Sequence, residues 1–403
     1  MIGPGTRRSF LQQVGLGSMG AVAAAAWSGT ALGKDPDAKI LGAEGVKTSA
    51  RPAGVWKPVS DRKIRVGIVG YGVCKFGAAF GFQDHPNVTV AAVSDLFPDR
   101  CQALAKVCRA TKTYPSLEEL VKDDSIEAVF VATDAPSHAR HCIEVLKHGK
   151  HVATAVPAVF GSVEAAHELY EVVRNSGRKY MMFETSAFHD DCYAMRQIYR
   201  AGGFGKLVYV EGEYYHYMAQ PIPSYRDWRV GLPPQWYPTH SNAYYGCVTG
   251  GSFTEVSCMG MPSAMAPFRP GNNRYQNPFG TEIALFRTDE GGMARMAVSW
   301  DSFGPGAEAG RVRGQIGAMW GTPYAGQAKK LPDLTRPPLP PAVAPGGHGG
   351  SHGQLMNEFV TAILADRKPL VDIALALRLT VAGVVAHQSA LKNGELLKIP
   401  QFA

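Results

Sequence analysis

The sequence is poor in cysteine: seven in 403 residues, an odd number. No two of them form a CxxC pair, so neither a zinc ribbon nor a disulfide framework is supported. No block of lysine and arginine and no aromatic RNA-binding motif is present, which leaves no case for a nucleic-acid partner. Past the N-terminal segment, no stretch approaches about 18 uninterrupted apolar residues, so a soluble mature chain is expected. Internal repeats are also missing.

What is present begins at once. The stretch "TRRSFLQQVGLGSMGAVAAAAW" sets Arg7 and Arg8 before a weakly apolar, Gly- and Ala-rich run that ends near Gly33. This is the layout of a twin-arginine export signal. The twin-arginine machinery is then an expected partner, and a periplasmic or otherwise exported location is expected. Cleavage after Gly33 would remove two arginines and no acid, taking the net charge from +7 to +5. Residues 34–60 read as an exposed leader. What remains exceeds one ordinary core, so two domains are expected, over 61–183 and 184–403.

Ile64 to Gly70, "IRVGIVG", is a continuous apolar run of the kind buried on both faces of a parallel sheet. It leads into "GYGVCKFGAAFGF", in which Gly70 allows a tight turn. Gly72 allows close approach of a pyrophosphate, with Val73 continuing the turn toward a helix N-terminus. The third glycine of the dinucleotide fingerprint is missing: Lys75 stands there, and Gly77 follows two residues later. Support comes from "VTVAAVSD", a second buried strand ending in Asp95, where an acid would bond ribose hydroxyls. An acid there repels a 2'-phosphate, so NAD is expected over NADP, although the nearby Arg100 leaves NADP open. "AVFVATDAPSHARHCIEVLKHGKHVATAVP" then supplies a strand carrying Thr133 and His138 after it, a helix and a further strand. A doubly wound domain that binds no nucleotide is the alternative. Cys74, Cys101, Cys108 and Cys142 fall within this unit and are expected to be small buried residues.

Strand, GxG turn, terminal acid, "VAT" followed by His138, and "HGKHV" together resemble the Gfo/Idh/MocA oxidoreductase family. The resemblance implies an α/β fold: an N-terminal Rossmann doubly wound parallel sheet, then an α/β domain with a large, open, mostly antiparallel sheet. It also implies a homo-oligomer, because such sheets often pack against another copy. The family usually places Glu-Lys-Pro after the fourth strand, with the lysine as acid or base. Here the residues are Ala155-Val156-Pro157, and valine moves no proton.

A "VP" at this place, with "MMFETSAF", "EGEYYH", "WYPTHSN" and "GGHGGSH", is similar to glycoside hydrolase family 109, retaining glycosidases that use bound NAD. The cofactor contacts implied are Gly70, Gly72, Val73, Asp95, Thr133, His138, Val156 and Pro157. By the same likeness His240 is the candidate base, Tyr237 and Thr239 shape its loop, and His216 and His348 reach the sugar, with Glu184 beside it. The branch's tyrosine and asparagine have become Phe188 and Thr185, and His189 is expected to face away from the site by strand alternation.

"KLVYVEGEYYH", "GTEIALFRT" and "MARMAVSWD" read as strands with one covered face. In the insertion "SYRDWRVGLPPQW", Trp228, Trp236 and Tyr225 either stack on sugar rings or close a subunit interface, with Arg229 among them as a substrate residue. Two helices follow a Pro- and Gly-rich connection, the second expected to end at Gly394. His216, His240, His348 and His352 have no known metal-ligand spacing, so no metal is expected.

The chemistry implied is hydride transfer from a sugar ring carbon to NAD, leaving a ketone that acidifies the neighbouring C–H. Release of the keto sugar would make a dehydrogenase. Elimination, water addition and re-reduction would make a glycosidase or lyase with NAD as catalyst. A sugar-binding protein that keeps the fold without turnover is the third reading. A dinucleotide is scarce outside the cytoplasm, so export implies folding around a tightly held cofactor first.

Overall fold

The computed structural model describes residues 54–304, 306–321 and 323–403. The twin-arginine segment and residues 34–53 of the leader lie outside the described residues.

The first sheet is six-stranded and wholly parallel: β1 (Ile64–Val69), β2 (Val88–Ser94), β3 (Lys112–Tyr114), β4 (Ala128–Val131), β5 (His151–Thr154) and β6 (Tyr180–Met182), in the order β3-β2-β1-β4-β5-β6. Its strands are nearly all apolar because both faces are covered. The connecting helices are α1 (Phe76–Ala79), α2 (Pro98–Cys108), α3 (Leu117–Leu120), α4 (His138–Lys147) and α5 (Val163–Ser176). Strand order reverses between β1 and β4, which opens a crevice at the carboxyl ends of the strands. Gly70, Asp95, Thr133 and Ala155 each follow the end of such a strand. Six of the cysteines are buried, but Cys74 is exposed on the loop after β1, against expectation, because that loop must leave the core to line the crevice.

After α6 (Asp190–Arg200) comes the second sheet: β7 (Leu207–Tyr215), then α7 (Thr239–Thr249), β8 (Phe253–Pro262), β9 (Phe279–Thr288), β10 (Met293–Ser299), β11 (Ala307–Gly314), β12 (Gly317–Trp320) and β13 (Tyr324–Gly326). Beyond α8 (His352–Leu364) and α9 (Ile373–Leu391), β14 (Leu397–Lys398) completes it in the order β13-β12-β11-β7-β10-β9-β8-β14. Only β7 and β10 run parallel; the other pairs are antiparallel. The three strand-like stretches seen in the sequence are β7, β9 and β10. Strands β8 and β11 were not anticipated, because "FTEVSCMGMP" and "AEAGRVRG" have weak alternation.

Helix α7 is buried along nearly its whole length. It lies directly on the sheet because Gly212 of β7 and Gly310 of β11 are register partners beneath it. A methyl group on Gly212 would overlap the Ser241 carbonyl, and one on Gly310 the Tyr244 ring. Close seating fixes the start of α7 over the strand positions where Glu308 pairs with Tyr214.

Helix α9 is capped by Asp372, whose Oδ1 accepts from Leu375 N at 3.1 Å. It ends at Leu391, and Gly394 (φ 85°) lies in the turn beyond. This is the one described helix long and apolar enough to cross a bilayer, and it is buried in the protein against β8 and α5. The reading of uninterrupted runs passed over it because Arg378 and His387 interrupt its sequence.

The opposite face of the second sheet is open. Glu211 at its centre is paired with Arg295 (3.5 Å) and with Arg311. Around this pairing Met259, Met261, Ile283, Leu285 and Trp320 are exposed, all on the face that carries Arg295 by register.

Candidate active site

The crevice at the strand reversal holds a cavity of about 500 Å³, lined by the loops after β1, β2, β4 and β5 and by residues of the 222–237 segment. Gly70 (φ 101°) turns so tightly past Ala132 that a Cβ would overlap its carbonyl, whereas a Cβ on Gly72 would meet no protein atom. The free space at Gly72 is where a pyrophosphate would approach the backbone. The missing third glycine also finds its reason. Lys75 adopts a left-handed conformation (φ 55°) before α1, and Gly77 makes the close packing, its missing Cβ leaving room for the Gly70 carbonyl. The helix after the turn has only four residues, so a long helix dipole is not available there.

Asp95 joins two of these loops: Oδ2 accepts from Tyr71 N at 2.6 Å and Oδ1 from Phe97 N at 2.9 Å. Each oxygen keeps a lone pair for a ribose hydroxyl. Arg100 lies over Phe97, 4.4 Å from its ring centre, at the cavity wall. Val73, Thr133 and Val156 line the cavity as expected. His138 lines it too, yet both its nitrogens face carbonyls, Pro157 O at 2.8 Å and Thr133 O at 3.2 Å. It ties the loops after β4 and β5 together. Pro157 is not at the wall; it serves through that carbonyl.

His240 is not in a loop. Pro238 caps α7 and His240 is the second helical residue, almost wholly buried. Its Nδ1–H donates to Glu184 Oε1 at 2.8 Å, and Glu308 Oε2 lies 3.8 Å away. Ser186 braces both acids, N to Glu184 Oε1 at 2.9 Å and Oγ to Glu308 Oε2 at 3.1 Å. Burial alone would push the imidazolium pKa down, but the charges of Glu184 and Glu308 and the Glu184 hydrogen bond raise it to about 9. A helix N-terminus disfavours a cation and favours carboxylates, so the two acids stabilise both the helix end and the charge. His240 therefore rests protonated near neutral pH, a hydrogen-bond donor and not a base.

Glu184 is fully buried and orients His240; it lines neither of the two described cavities, where a sugar contact was expected. His189 does not face away. Thr185–Phe188 form a 3-10 turn instead of a strand, and His189 Nε2 comes within 3.4 Å of Glu308 Oε2. Glu308 and Ser186 were missed, since a lone acid among small residues on β11 carries no motif.

Tyr237 and Arg229 line the large cavity and also a smaller one of about 40 Å³, shared with His216, Tyr214, Met218, Ile222, Leu232 and Trp300. Burial raises the Tyr237 phenol to about 12, which makes it a neutral donor. Burial, then the Arg229 charge, lower the pKa of His216, and its buried Nδ1 has no hydrogen-bond partner. Trp228 is buried at the wall under Arg229. Trp236 lies at neither wall; it packs on Phe160, Tyr275 and His387, because "PPQW" turns inward. His348 sits in an exposed left-handed turn (φ 49°), with Nδ1 2.8 Å from His352 Nε2. That exposed turn places it at neither cavity. Among the described residues no three His, Cys, Asp or Glu side chains are grouped to hold a metal ion.

Comparison with known proteins accords with this geometry. Residues 64–184 match the profile of the Gfo/Idh/MocA oxidoreductase family, NAD-binding Rossmann fold. A glycosyl hydrolase family 109 protein of Bacteroides thetaiotaomicron is 29% identical over 202 residues, 46% of this chain and 43% of that protein. One from Saccharopolyspora erythraea is 23% identical over 387 residues, 84% of this chain and 83% of its own. Among solved structures, an oxidoreductase domain protein from Kribbella flavida superposes with a TM-score of 0.69 at 18% identity, over 84% of this chain and all of that one. The scyllo-inositol dehydrogenase of Lactobacillus casei, solved with NAD(H) and scyllo-inositol, gives 0.64 at 15%, over 84% of this chain and 99% of that one. These structural likenesses show the shared fold. The crevice, its glycine turn and the matched domain define the class: an NAD-binding Rossmann domain followed by a large, mostly antiparallel sheet. The relatives matched in sequence carry the glycosyl hydrolase family 109 name.

The clamp on His240 has a pH signature. Its pKa is raised from 6.5 to about 9, so its stabilising contribution is complete below about 6.5 and lost as the pH rises through about 9. In Glu308→Gln the His240 titration, followed by NMR of the ring protons, is expected to fall below 9, and the alkaline loss of thermal stability to begin at lower pH. An unchanged midpoint would show that Glu308 does not contribute to the clamp.

Proposed function

We propose that the protein is an exported, NAD-dependent enzyme acting on a carbohydrate at a ring carbon. The observation that carries this is the meeting of Tyr237, His216 and Arg229 on cavity walls continuous with the glycine turn and Val156. Bound NAD supplies a reversible acceptor for a hydride from the sugar. The turn Gly70–Val73, Asp95 and Thr133 would hold it, on the free space at Gly72 and the open lone pairs of Asp95. With valine at position 156, proton movement falls to the second domain. His216, neutral and with Nδ1 unpartnered, is suited to accept a proton, and Tyr237 to donate a hydrogen bond to a sugar oxygen. Protonated His240 stands behind them, 4.6 Å from the Tyr214 ring, and holds that aromatic wall.

A second reading, net cleavage of a glycoside with NAD retained, is supported by the names of the sequence relatives and by the apolar Val156. The NAD-loaded protein with a panel of glycosides separates the two by nicotinamide absorbance and product analysis. A keto sugar formed in step with NADH marks oxidation; cleaved sugar without net NADH marks the glycosidase. His216→Gln is expected to lower kcat by about a hundredfold or more while NAD stays bound. Parent-level activity would remove His216 from the mechanism.

Export is proposed from Arg7 and Arg8. Replacing both by lysine is expected to retain the protein in the cytoplasm, and unimpaired export would exclude the twin-arginine route. The open sheet face is proposed to cover itself with a second copy, its charged centre being internally paired and its apolar rim exposed. Sedimentation should show a dimer that Met259→Glu with Met261→Glu dissociates; a monomeric parent protein would refute this.

A further inference from the structure

We infer that the sugar taken by this site carries a carboxylate, as a uronic acid residue does, and that Arg229 binds it. The inference rests on the carbohydrate reading above and narrows it to an acidic substrate class. Arg229 lies 4.1 Å over the Trp228 ring, a stacking that holds the guanidinium plane and leaves its N–H edges free. Among the described residues no carboxylate pairs with it and its side chain makes no hydrogen bond; its backbone N–H donates to Ser224 Oγ at 3.2 Å and its carbonyl accepts from Leu232 N at 3.3 Å. Other part-buried arginines of this chain are satisfied. Arg295 and Arg311 meet Glu211, Arg336 meets Asp190 at 2.7 Å, and Arg196 donates to the Ala187 carbonyl at 2.8 Å.

Arg229 is half-buried at the wall shared by the two cavities, where a ligand carboxylate would meet an unpaired guanidinium. The small cavity has room for a group of a few atoms, given that one water needs roughly 10–15 Å³, against its volume of about 40 Å³. Its other walls are Met218, Leu232, Trp300 and aromatic side chains, and Arg229 is the charged residue among them. His216 lines the same small cavity. The acids lining the large cavity are engaged elsewhere: Asp95 with Tyr71 N and Phe97 N, Asp134 with Ser137, and Glu118 with Arg140. A planar fork facing a pocket of this size fits a carboxylate, bound through two parallel hydrogen bonds.

The test uses the full-length mature protein loaded with NAD. Free glucuronate, galacturonate, glucose and galactose are titrated by calorimetry, and the matching glycosides are compared by kcat/KM. The acids are expected to bind about tenfold to a hundredfold tighter than their neutral partners. Arg229→Gln should abolish that ratio, and Arg229→Lys should restore only part of it. The thermal shift given by NAD checks that each variant is folded and loaded. Neutral sugars bound and turned over as well as the acids, or better, would overturn this inference and leave the carbohydrate reading standing. A sugar sulfate preferred to the uronate would overturn the carboxylate assignment, and loss of NAD binding in Arg229→Gln would assign the arginine to the cofactor. If no sugar of either kind binds or reacts, the carbohydrate reading fails and this inference falls with it.

Discussion

The seating of α7 on the second sheet is the constraint from which the site follows. Two register-paired glycines, Gly212 and Gly310, bring the helix backbone against the strands. That contact sets His240 within reach of Glu308 from β11 and Glu184 from the end of the first sheet. Three elements distant in sequence thus converge on one imidazole. In an almost water-free place, two carboxylates and one cation stabilise each other, whereas an unpaired member would be strongly penalised.

This arrangement separates two roles that a sequence likeness merges. His240 is held as a cation by its acids and serves the walls of the site. The groups that can meet a sugar, Tyr237, His216 and Arg229, line the cavities. Burial is the main cause that keeps Tyr237 a phenol and His216 a neutral imidazole, giving a donor and an acceptor at the small cavity. Position 156 itself, a valine, offers no proton-bearing group to the cavity.

The crevice itself shows how the chain tolerates a departure from the glycine fingerprint. A glycine is demanded where backbone meets backbone. At Gly70 and Gly77 that demand comes from the protein, and at Gly72 from the space left for a ligand. Position 75 carries a side chain all the same: Lys75 takes a left-handed conformation, ordinarily favoured by glycine, ahead of a helix of only four residues.

The sequence by itself determined the first sheet, since "IRVGIVG" and "VTVAAVSD" are local apolar runs whose turn chemistry is written in adjacent residues. It also determined the strands β7, β9 and β10 and the place of Asp95 at the end of β2. Tertiary structure alone decided that Trp236 turns inward, that Glu184 orients His240, that His189 faces Glu308, and that Arg229 is left without an acid. Glu308 lies 68 residues beyond His240 by their numbers, and no local period links them. The physical reason is one of range. Strand and turn preferences act over a few neighbouring residues, whereas the charge state of a buried histidine is set by whichever carboxylates the packed sheet brings beside it.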